Sequence, residues 1–260
     1  MGNASAQRLQ HAAGVLARRV MSTFLVPDWP APANVHALVT TRTGGSSIGP
    51  WQGLNLASHV GDDPAHVALN RAWLHAQLPA EPCWLNQVHG TDCVIARLEG
   101  NTPTADASVS SEPRQVCAVL TADCLPVLFC TLDGQRVGAA HAGWRGLLAG
   151  VLENTIHALE TPAAQVMAWF GPAIGPQAFE VGGEVRAAFV ARDAAVGSAF
   201  AEHGDKWLAD IYALARLRLQ AIGVHSIYGG DLCTVSDAER FYSYRRDGAT
   251  GRMASLIWRE

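Results

Sequence analysis

The chain is short of lysine, methionine, charge and paired cysteines, and each shortage removes a function class. Lys206 is the single lysine among 260 residues, so no Walker A loop, with its phosphate-binding lysine, can be drawn. Four methionines stand at 1, 21, 167 and 253, and none lies near Cys124 to serve as the weak axial ligand of a blue-copper site. Only 16% of residues are charged, the net charge is −4, and no basic run exceeds a pair such as Arg245-Arg246. A nucleic-acid face needs a clustered basic patch, so no nucleic-acid partner is expected. No stretch approaches the roughly 18 apolar residues of a transmembrane helix. Arg18 and Arg19 follow the mildly apolar Ala12–Ala17 stretch instead of preceding it, which is not a secretory signal. Met1-Gly2 is followed by Ala6 where myristoylation wants Ser or Thr. No membrane attachment is expected.

Six cysteines lie at 83, 93, 117, 124, 130 and 233, with no Cys-x-x-Cys. A zinc ribbon or thioredoxin-like motif is therefore unexpected. They read as reduced thiols of a cytoplasmic protein, most of them small buried hydrophobes. His-Glu-x-x-His, His-x-His and the deaminase pattern of His-x-Glu with Pro-Cys-x-x-Cys are missing too. Gly45-Ser46-Ser47-Ile48-Gly49 fits Gly-x-Ser-x-Gly literally, but Pro50 and a loop to Gly61 follow it. A nucleophile elbow turns straight into a helix, so these residues read as a flexible turn.

Apolar residues, at 49%, are enough for a sizeable core. Val35–Thr43, Cys83–Val88, Asp92–Ala96, Val116–Thr121, Leu125–Leu132, Arg136–Ala140, Val166–Phe170, Ile227-Tyr228, Phe241–Tyr244 and Met253–Trp258 read as strands. Asp63-Pro64 opens a helix as N-cap and first-turn proline. Leu147 to Leu159 repeats at helical spacing, and Gly183–Val190 and Leu208–Ala221 read as helices. Strands and helices interleave unevenly, which predicts mixed α/β layers over a regular Rossmann repeat. No repeat or linker is visible. Residues 1–20 read as a flexible leader and 21–260 as one domain.

Three potential metal ligands sit beside glycine or proline: His89 in Asn86-Gln87-Val88-His89-Gly90, Cys124 in Ala122-Asp123-Cys124-Leu125-Pro126, and His141 in Ala140-His141-Ala142-Gly143-Trp144-Arg145. Two imidazoles and a thiolate with an open fourth position suit catalytic zinc. Ten histidines and six cysteines allow many such triples by chance, and a lone histidine near a turn is usually a surface or hydrogen-bonded residue. All three do fall at predicted strand ends, where functional groups concentrate. Asp123 is a charge in an apolar stretch, read either as the carboxylate that orients a ligating imidazole or as a turn cap. Arg42, Arg145 and Arg245 are candidate substrate-binding cations, with Arg246 open between that role and a solvated charge. The predicted helix start at Gly143-Trp144-Arg145 adds backbone N–H groups that favour an anion. Cys233 reads as a buried, inert thiol.

Longer blocks carry a resemblance. Thr40-Thr41-Arg42-Thr43-Gly44-Gly45-Ser46, Leu54-Asn55-Leu56 and His59-Val60-Gly61-Asp62-Asp63 form an opening set. Trp84 to Gly90, Thr121 to Val127 and Ala140 to Gly146 form the metal blocks. Gly171 to Pro176, Phe179 to Gly182 and the tail Phe241 to Gly248 complete it. In this order, over roughly 35–258, they resemble the YfiH-like laccase-domain family, regarded as purine nucleoside phosphorylases. The resemblance implies a single α/β/β/α sandwich with mixed sheets and a zinc held by His89, Cys124 and His141. It implies phosphorolysis of adenosine, inosine, guanosine and methylthioadenosine, with adenosine deamination as a side activity. Some bacterial relatives are instead assigned to peptidoglycan-precursor editing as amidases, and an older polyphenol-oxidase label leaves copper open. A non-catalytic metal-binding domain is the third reading. The expected partners are a nucleoside and phosphate, in a monomer or homodimer.

Removal of residues 1–20 is expected to leave turnover and melting temperature nearly unchanged, because the segment lacks a convincing apolar face beyond Leu9, Val15, Leu16 and Val20. Differential scanning calorimetry of the truncated chain checks this, and a large fall in Tm would show that the segment packs.

Overall fold

The computed structural model describes residues 23–97 and 102–260; the expected leader at 1–20 lies outside them. Strands β1 (Phe24–Leu25), β2 (Val35–Thr40), β3 (Pro82–Cys83), β4 (Cys93–Ile95), β5 (Ala107–Ser110), β6 (Val116–Thr121) and β7 (Leu125–Thr131) come first. Then follow β8 (Val137–Ala142), β9 (Val166–Phe170), β10 (Glu180–Val181), β11 (Phe200–His203), β12 (Lys206–Ala209), β13 (Ser226–Gly229) and β14 (Met253–Arg259). The helices are α1 (Pro64–His75), α2 (Trp144–Ala149), α3 (Val151–Ala158), α4 (Gly183–Arg192), α5 (Ile211–Ala221) and the short α6 (Tyr244–Asp247).

One sheet runs β1-β2-β14-β6-β3 and a second runs β13-β9-β7-β8-β5-β4, while β10-β12-β11 form a small antiparallel sheet. Both large sheets are mixed: β3–β6, β4–β5 and β9–β13 pair in parallel. The long runs at β6 and β7 are buried along their whole length, because each strand has a layer on both faces. Side chains alternate along a strand. Leu128 and Cys130 therefore meet Val119 and Ile257 of the other sheet, while Val127 and Phe129 pack with Leu152 of α3 and Leu214 of α5. On the far side, Leu120 and Leu256 cluster with Leu74 of α1. The order is helix, sheet, sheet, helices: the expected α/β/β/α sandwich. Among the described residues no helix is long and apolar enough to cross a membrane.

Several elements depart from expectation for identifiable reasons. The helix expected over 147–159 is broken into α2 and α3 at Gly150, whose φ of 117° no helix can continue. The strand expected over 83–88 stops at Cys83, and the Gln87 side chain takes over from the main chain. Its amide donates to the Leu120 carbonyl at 2.8 Å and accepts from the Leu120 N–H at 2.7 Å. The strand expected over 241–244 does not form. Tyr242 is buried and its hydroxyl donates to the Trp51 and Gln52 carbonyls, while Ser243 caps α6. The start of the helix expected at Leu208 belongs to the β11–β12 hairpin. At α1 the expected cap is present: the Asp63 carboxylate accepts from the Ala65 N–H at 2.8 Å.

Candidate metal and substrate site

Sheet register brings the distant ligands together. In the β7–β8 ladder Pro126 faces His141 and Leu125 faces Ala142, so Cys124, one residue before β7, lies beside the end of β8. Ala107 faces Ala140 in the β5–β8 ladder, which places Asp106 at the same end. The segment Ala122-Asp123-Cys124 crosses from one sheet to the other, and Asp123 makes the turn with φ of 89°. His89 arrives on the loop that Gln87 fastens to β6, and it too has a positive φ, 60°. Such conformations cost a non-glycine residue about 1–3 kcal/mol, and they cluster at functional sites.

Asp106 holds the His89 loop in that conformation. Its carboxylate accepts from three successive N–H groups, of Val88 at 3.2 Å, His89 at 3.0 Å and Gly90 at 2.6 Å. Hydrogen bonds to a charged group contribute about 1.5–3 kcal/mol each, enough to offset the strain at His89. The same carboxylate meets His141 Nδ1 at 2.7 Å, and the Asp106 carbonyl accepts the His141 N–H at 2.7 Å. Nε2 of His141 is thereby left as the atom free to bind a metal.

The sequence reading considered Asp123 for this role, and the structure corrects it. Asp123 accepts instead from Thr234 Oγ1 at 2.5 Å and from the Arg245 N–H at 2.6 Å, tying the Cys124 segment to the C-terminal part of the chain. Asp106 was missed. Its only signal was a lone acid among small apolar residues, the same signal that Asp123 shows.

One donor atom from each of His89, Cys124 and His141 lies within 4.8 Å of the others. Cys124 Sγ and His89 Nε2 are 3.7 Å apart, and the imidazole centroids 4.8 Å apart in an edge-to-face arrangement. Ordinary zinc bond lengths and tetrahedral angles put an N···S edge at about 3.5 Å, so the Cys124–His89 edge and the N/S donor types suit that ion. No fourth His, Cys, Asp or Glu joins the group among the described residues, which leaves a position for water or substrate. Gly143 keeps the space clear: a Cβ there would stand 2.8 Å from His89 Cδ2 and 3.1 Å from Cys124 Sγ.

Electrostatics favour the ligating form of the thiol. Burial pushes the Cys124 thiol up, but the adjacent His141 and His89 imidazoles outweigh it and lower it to about 6. His141 moves the other way. Burial lowers it, but the Cys124 thiolate and the Asp106 carboxylate raise it to about 9. Asp106 is held below the usual carboxylate range, burial being outweighed by His141 and the Gly90 and Val88 N–H groups.

A cleft of about 260 Å³ opens on this cluster, lined by His89, Cys124, Trp144, Arg145, Phe179, Tyr244 and Arg245 among others. Arg145 is exposed and lies over the Trp144 ring at 4.4 Å. Arg245 lies over Phe179 at 5.7 Å and donates to the Glu180 carbonyl at 3.0 Å. The structure thus brings Arg145 and Arg245 to the cluster. Arg42 lines a separate groove with Gly44, Gly45 and Glu239, and its guanidinium stacks on Tyr242 at 4.9 Å. Arg246 is occupied by the Thr234 and Phe241 carbonyls and by Asp247. Cys233, expected buried, is half-buried and accepts from the Gly175 N–H at 3.3 Å. The helix expected to supply N–H groups at Trp144 is only six residues long.

Fold and site together define a layered α/β protein with three side chains that could hold a metal at the floor of an arginine-bearing cleft. A family model described as multi-copper polyphenol oxidoreductase laccase matches residues 36–260, and the chain belongs to that family. It is 57% identical over 243 residues, 92% of this chain and 99% of the relative, to purine nucleoside phosphorylase YfiH of Escherichia coli. It is 47% identical over 239 residues, 90% and 98% of the two chains, to a purine nucleoside phosphorylase of Haemophilus influenzae. Among solved structures, Neisseria meningitidis protein NMB0706 superposes with a TM-score of 0.89 at 54% identity, covering 92% of this chain and 100% of that one. YlmD from Geobacillus stearothermophilus gives 0.82 at 30% identity, covering 92% and 97%.

Two outcomes test the site. Asp106→Ala is expected to lower metal affinity about 10–100-fold while His89, Cys124 and His141 remain, as measured by competition with a chromophoric chelator. Unchanged affinity would show that Asp106 orients nothing. In metal-free protein, iodoacetamide is expected to modify Cys124 with a midpoint near pH 6. A thiolate is the nucleophile, so the rate should fall about tenfold between pH 7 and pH 5. Peptide mass spectrometry distinguishes it from Cys93 and Cys130, whose thiols burial pushes up to about 12. A Cys124 midpoint near 9 would remove the thiolate from the argument.

Proposed function

We propose that the chain is a zinc-dependent purine nucleoside phosphorylase acting in the cytoplasm on adenosine, inosine, guanosine and methylthioadenosine. The observation that carries the reading is the open three-donor cluster at the floor of a cleft with aromatic walls and two exposed arginines. The relatives named purine nucleoside phosphorylase support it over most of their length. Zinc, when bound, supplies a Lewis acid and a water activator. His89, Cys124 and His141 hold it, and Asp106 fixes the tautomer of His141.

The protein's own groups do the rest. Phe179 and Tyr244 offer flat apolar faces for a purine. Arg145 and Arg245 place cations at the cleft, where an arginine fork recognises oxyanions and sugar oxygens. In phosphorolysis a phosphate oxygen bonds to the anomeric carbon as the glycosidic bond breaks, and the electron pair leaves with the base. Both reactants must be held in line, a positioning task that can contribute several kcal/mol. Arg42, which lines another groove, has no part in this reading.

Inosine or adenosine with phosphate is expected to yield free base and ribose 1-phosphate, resolved by chromatography. Adenosine turnover to inosine would register deamination in the same assay. Alanine at His89, Cys124 or His141 is expected to remove both metal and turnover. Arg145→Ala is expected to reduce kcat/KM about tenfold or more with full metal content, as for one lost charged contact. Base release at the same rate without phosphate would reject phosphorolysis. Loss of an amino acid from a muramyl precursor, with nucleosides inert, would install an amidase instead.

A further inference from the structure

A pair of arginines outside the lining of that cleft forms no ion pair among the described residues, although Glu81 lies near enough to Arg71 to act on its charge. Arg71 on α1 and Arg252, just ahead of β14, come from opposite halves of the chain and converge on one loop, residues 55–59. Arg71 Nε donates to the Leu56 carbonyl at 2.9 Å. The Arg252 N–H donates to Asn55 Oδ1 at 3.0 Å. Asn55 is fully buried and fixes the loop further. It bonds both the N–H and the carbonyl of Ala57 and donates to Asp62 at 2.8 Å. The loop ends on His59, which is exposed.

Both guanidiniums are held in place with donors to spare. Arg252 spends Nη1 on the Thr250 and Gly251 carbonyls and lies 5.9 Å over the Tyr244 ring, which is itself a wall of the cleft onto Cys124. Arg71 lies 4.3 Å over the face of Trp84. Neither forms an ion pair among the described residues. The charges felt by His59 are those of Arg252, Arg71 and His141; together with burial, which contributes most, they hold its imidazole below the ordinary range. The charges felt by Arg252 include those of Cys124 and Asp123. The Tyr244 ring is what joins this group to the cleft, since Arg252 lies over it and it lines the same cleft as His89 and Cys124. Like charges gathered at a partly buried place repel one another, and an anion reverses that repulsion. Carbonyl-anchored arginine forks are pre-organised for a tetrahedral oxyanion.

We infer that Arg252, with Arg71 and His59, binds inorganic phosphate beside the His89–Cys124–His141 cluster. The inference rests on the phosphorolysis reading for its purpose, because phosphate is then the co-substrate and the neutral nucleoside occupies the aromatic cleft.

The test is calorimetric titration of the full chain with inorganic phosphate, on wild type, Arg252→Gln, Arg252→Lys and Arg71→Gln, with metal content and phosphate-free Tm measured on each. Wild type is expected to bind. Arg252→Gln is expected to lose about 10–100-fold in phosphate affinity, the loss that follows a charge-assisted contact, with metal content unchanged, and Arg252→Lys to recover part of it. In turnover, KM for phosphate should rise while KM for the nucleoside stays within about twofold, since only one reactant loses a contact. Should Arg252→Gln fail to fold, Arg71→Gln, altered on a different element, reads the same subsite. Equal phosphate affinity in wild type and the folded variants overturns the inference, even where base release needs phosphate. Absence of phosphate binding to wild type overturns it too. Phosphate binding that is lost in the variants, with base release indifferent to phosphate, keeps the subsite and rejects phosphorolysis.

Discussion

Asp106 is fully buried, and a carboxylate without water must be met by donors. Four N–H groups meet it: those of Val88, His89 and Gly90, and Nδ1 of His141. Three of them belong to a loop between strands and the fourth to a strand of the second sheet. One side chain thereby fixes the φ of His89, the tautomer of His141 and the distance between them. Removing it would leave the part-buried N–H groups of Val88, His89 and Gly90 without their acceptor, and the buried His141 imidazole without its partner. That asymmetry, in which a bond contributes modestly but the loss of its acceptor costs more, couples the placement of His89 to that of His141.

The layers were legible because burial on two faces writes long apolar runs, as at Val116–Thr121 and Val166–Phe170, where observed and expected bounds coincide. The His89–Cys124–His141 group was legible as residue types, although the strand expected to end beside His89 stops at Cys83 and leaves His89 on a loop. What holds it was not. Asp106 and Asp123 each stand alone in small apolar surroundings, and nearness in the chain favoured Asp123 as the partner of a ligating imidazole. Ladder register decides otherwise. Asp106 is 35 residues from His141 in sequence, yet their backbones share a hydrogen bond. Register depends on which strands pair, and no local pattern states that. Arg71 and Arg252 were invisible for the same reason, since they meet through loop 55–59 and not through the chain between them. The Phe241–Tyr244 misreading is tertiary as well: β-forming residues were placed off the sheet by a buried tyrosine hydroxyl seeking carbonyls.

Backbone strain follows the site. His89 and Asp123, two of the four non-glycine residues with positive φ among the described residues, are respectively a candidate ligand and the neighbour of one. Each is held by bonds from outside its own turn: His89 by Asp106, and Asp123 by Thr234 and the Arg245 N–H. Strain persists where the surroundings over-determine it, and here two separate carboxylate networks do so. Gly143 and Gly146 complete the packing. A Cβ on Gly146 would come 2.7 Å from the Gly90 carbonyl, so α2 can approach the His89 loop only with hydrogen at that position.

The charge balance of the centre bears on what each part can recognise. A divalent ion held by these residues would have its two positive charges met by the Cys124 thiolate and the buried Asp106 carboxylate, and the local charge of an ion has to be counted in any such site. The ligand cluster is then close to neutral. The positive field at the cleft comes instead from the guanidiniums of Arg145 and Arg245 on one lining and of Arg71 and Arg252 beyond it, none of which forms an ion pair among the described residues. Under the phosphorolysis reading this separates two tasks. An anionic reactant is drawn by arginines, whose hold grows as water is excluded, and a neutral nucleoside is oriented by aromatic faces near the metal. A single site that relied on the metal for both would hold phosphate on the ion and block the position that the substrate needs. Arginines beside a charge-neutralised centre avoid that competition.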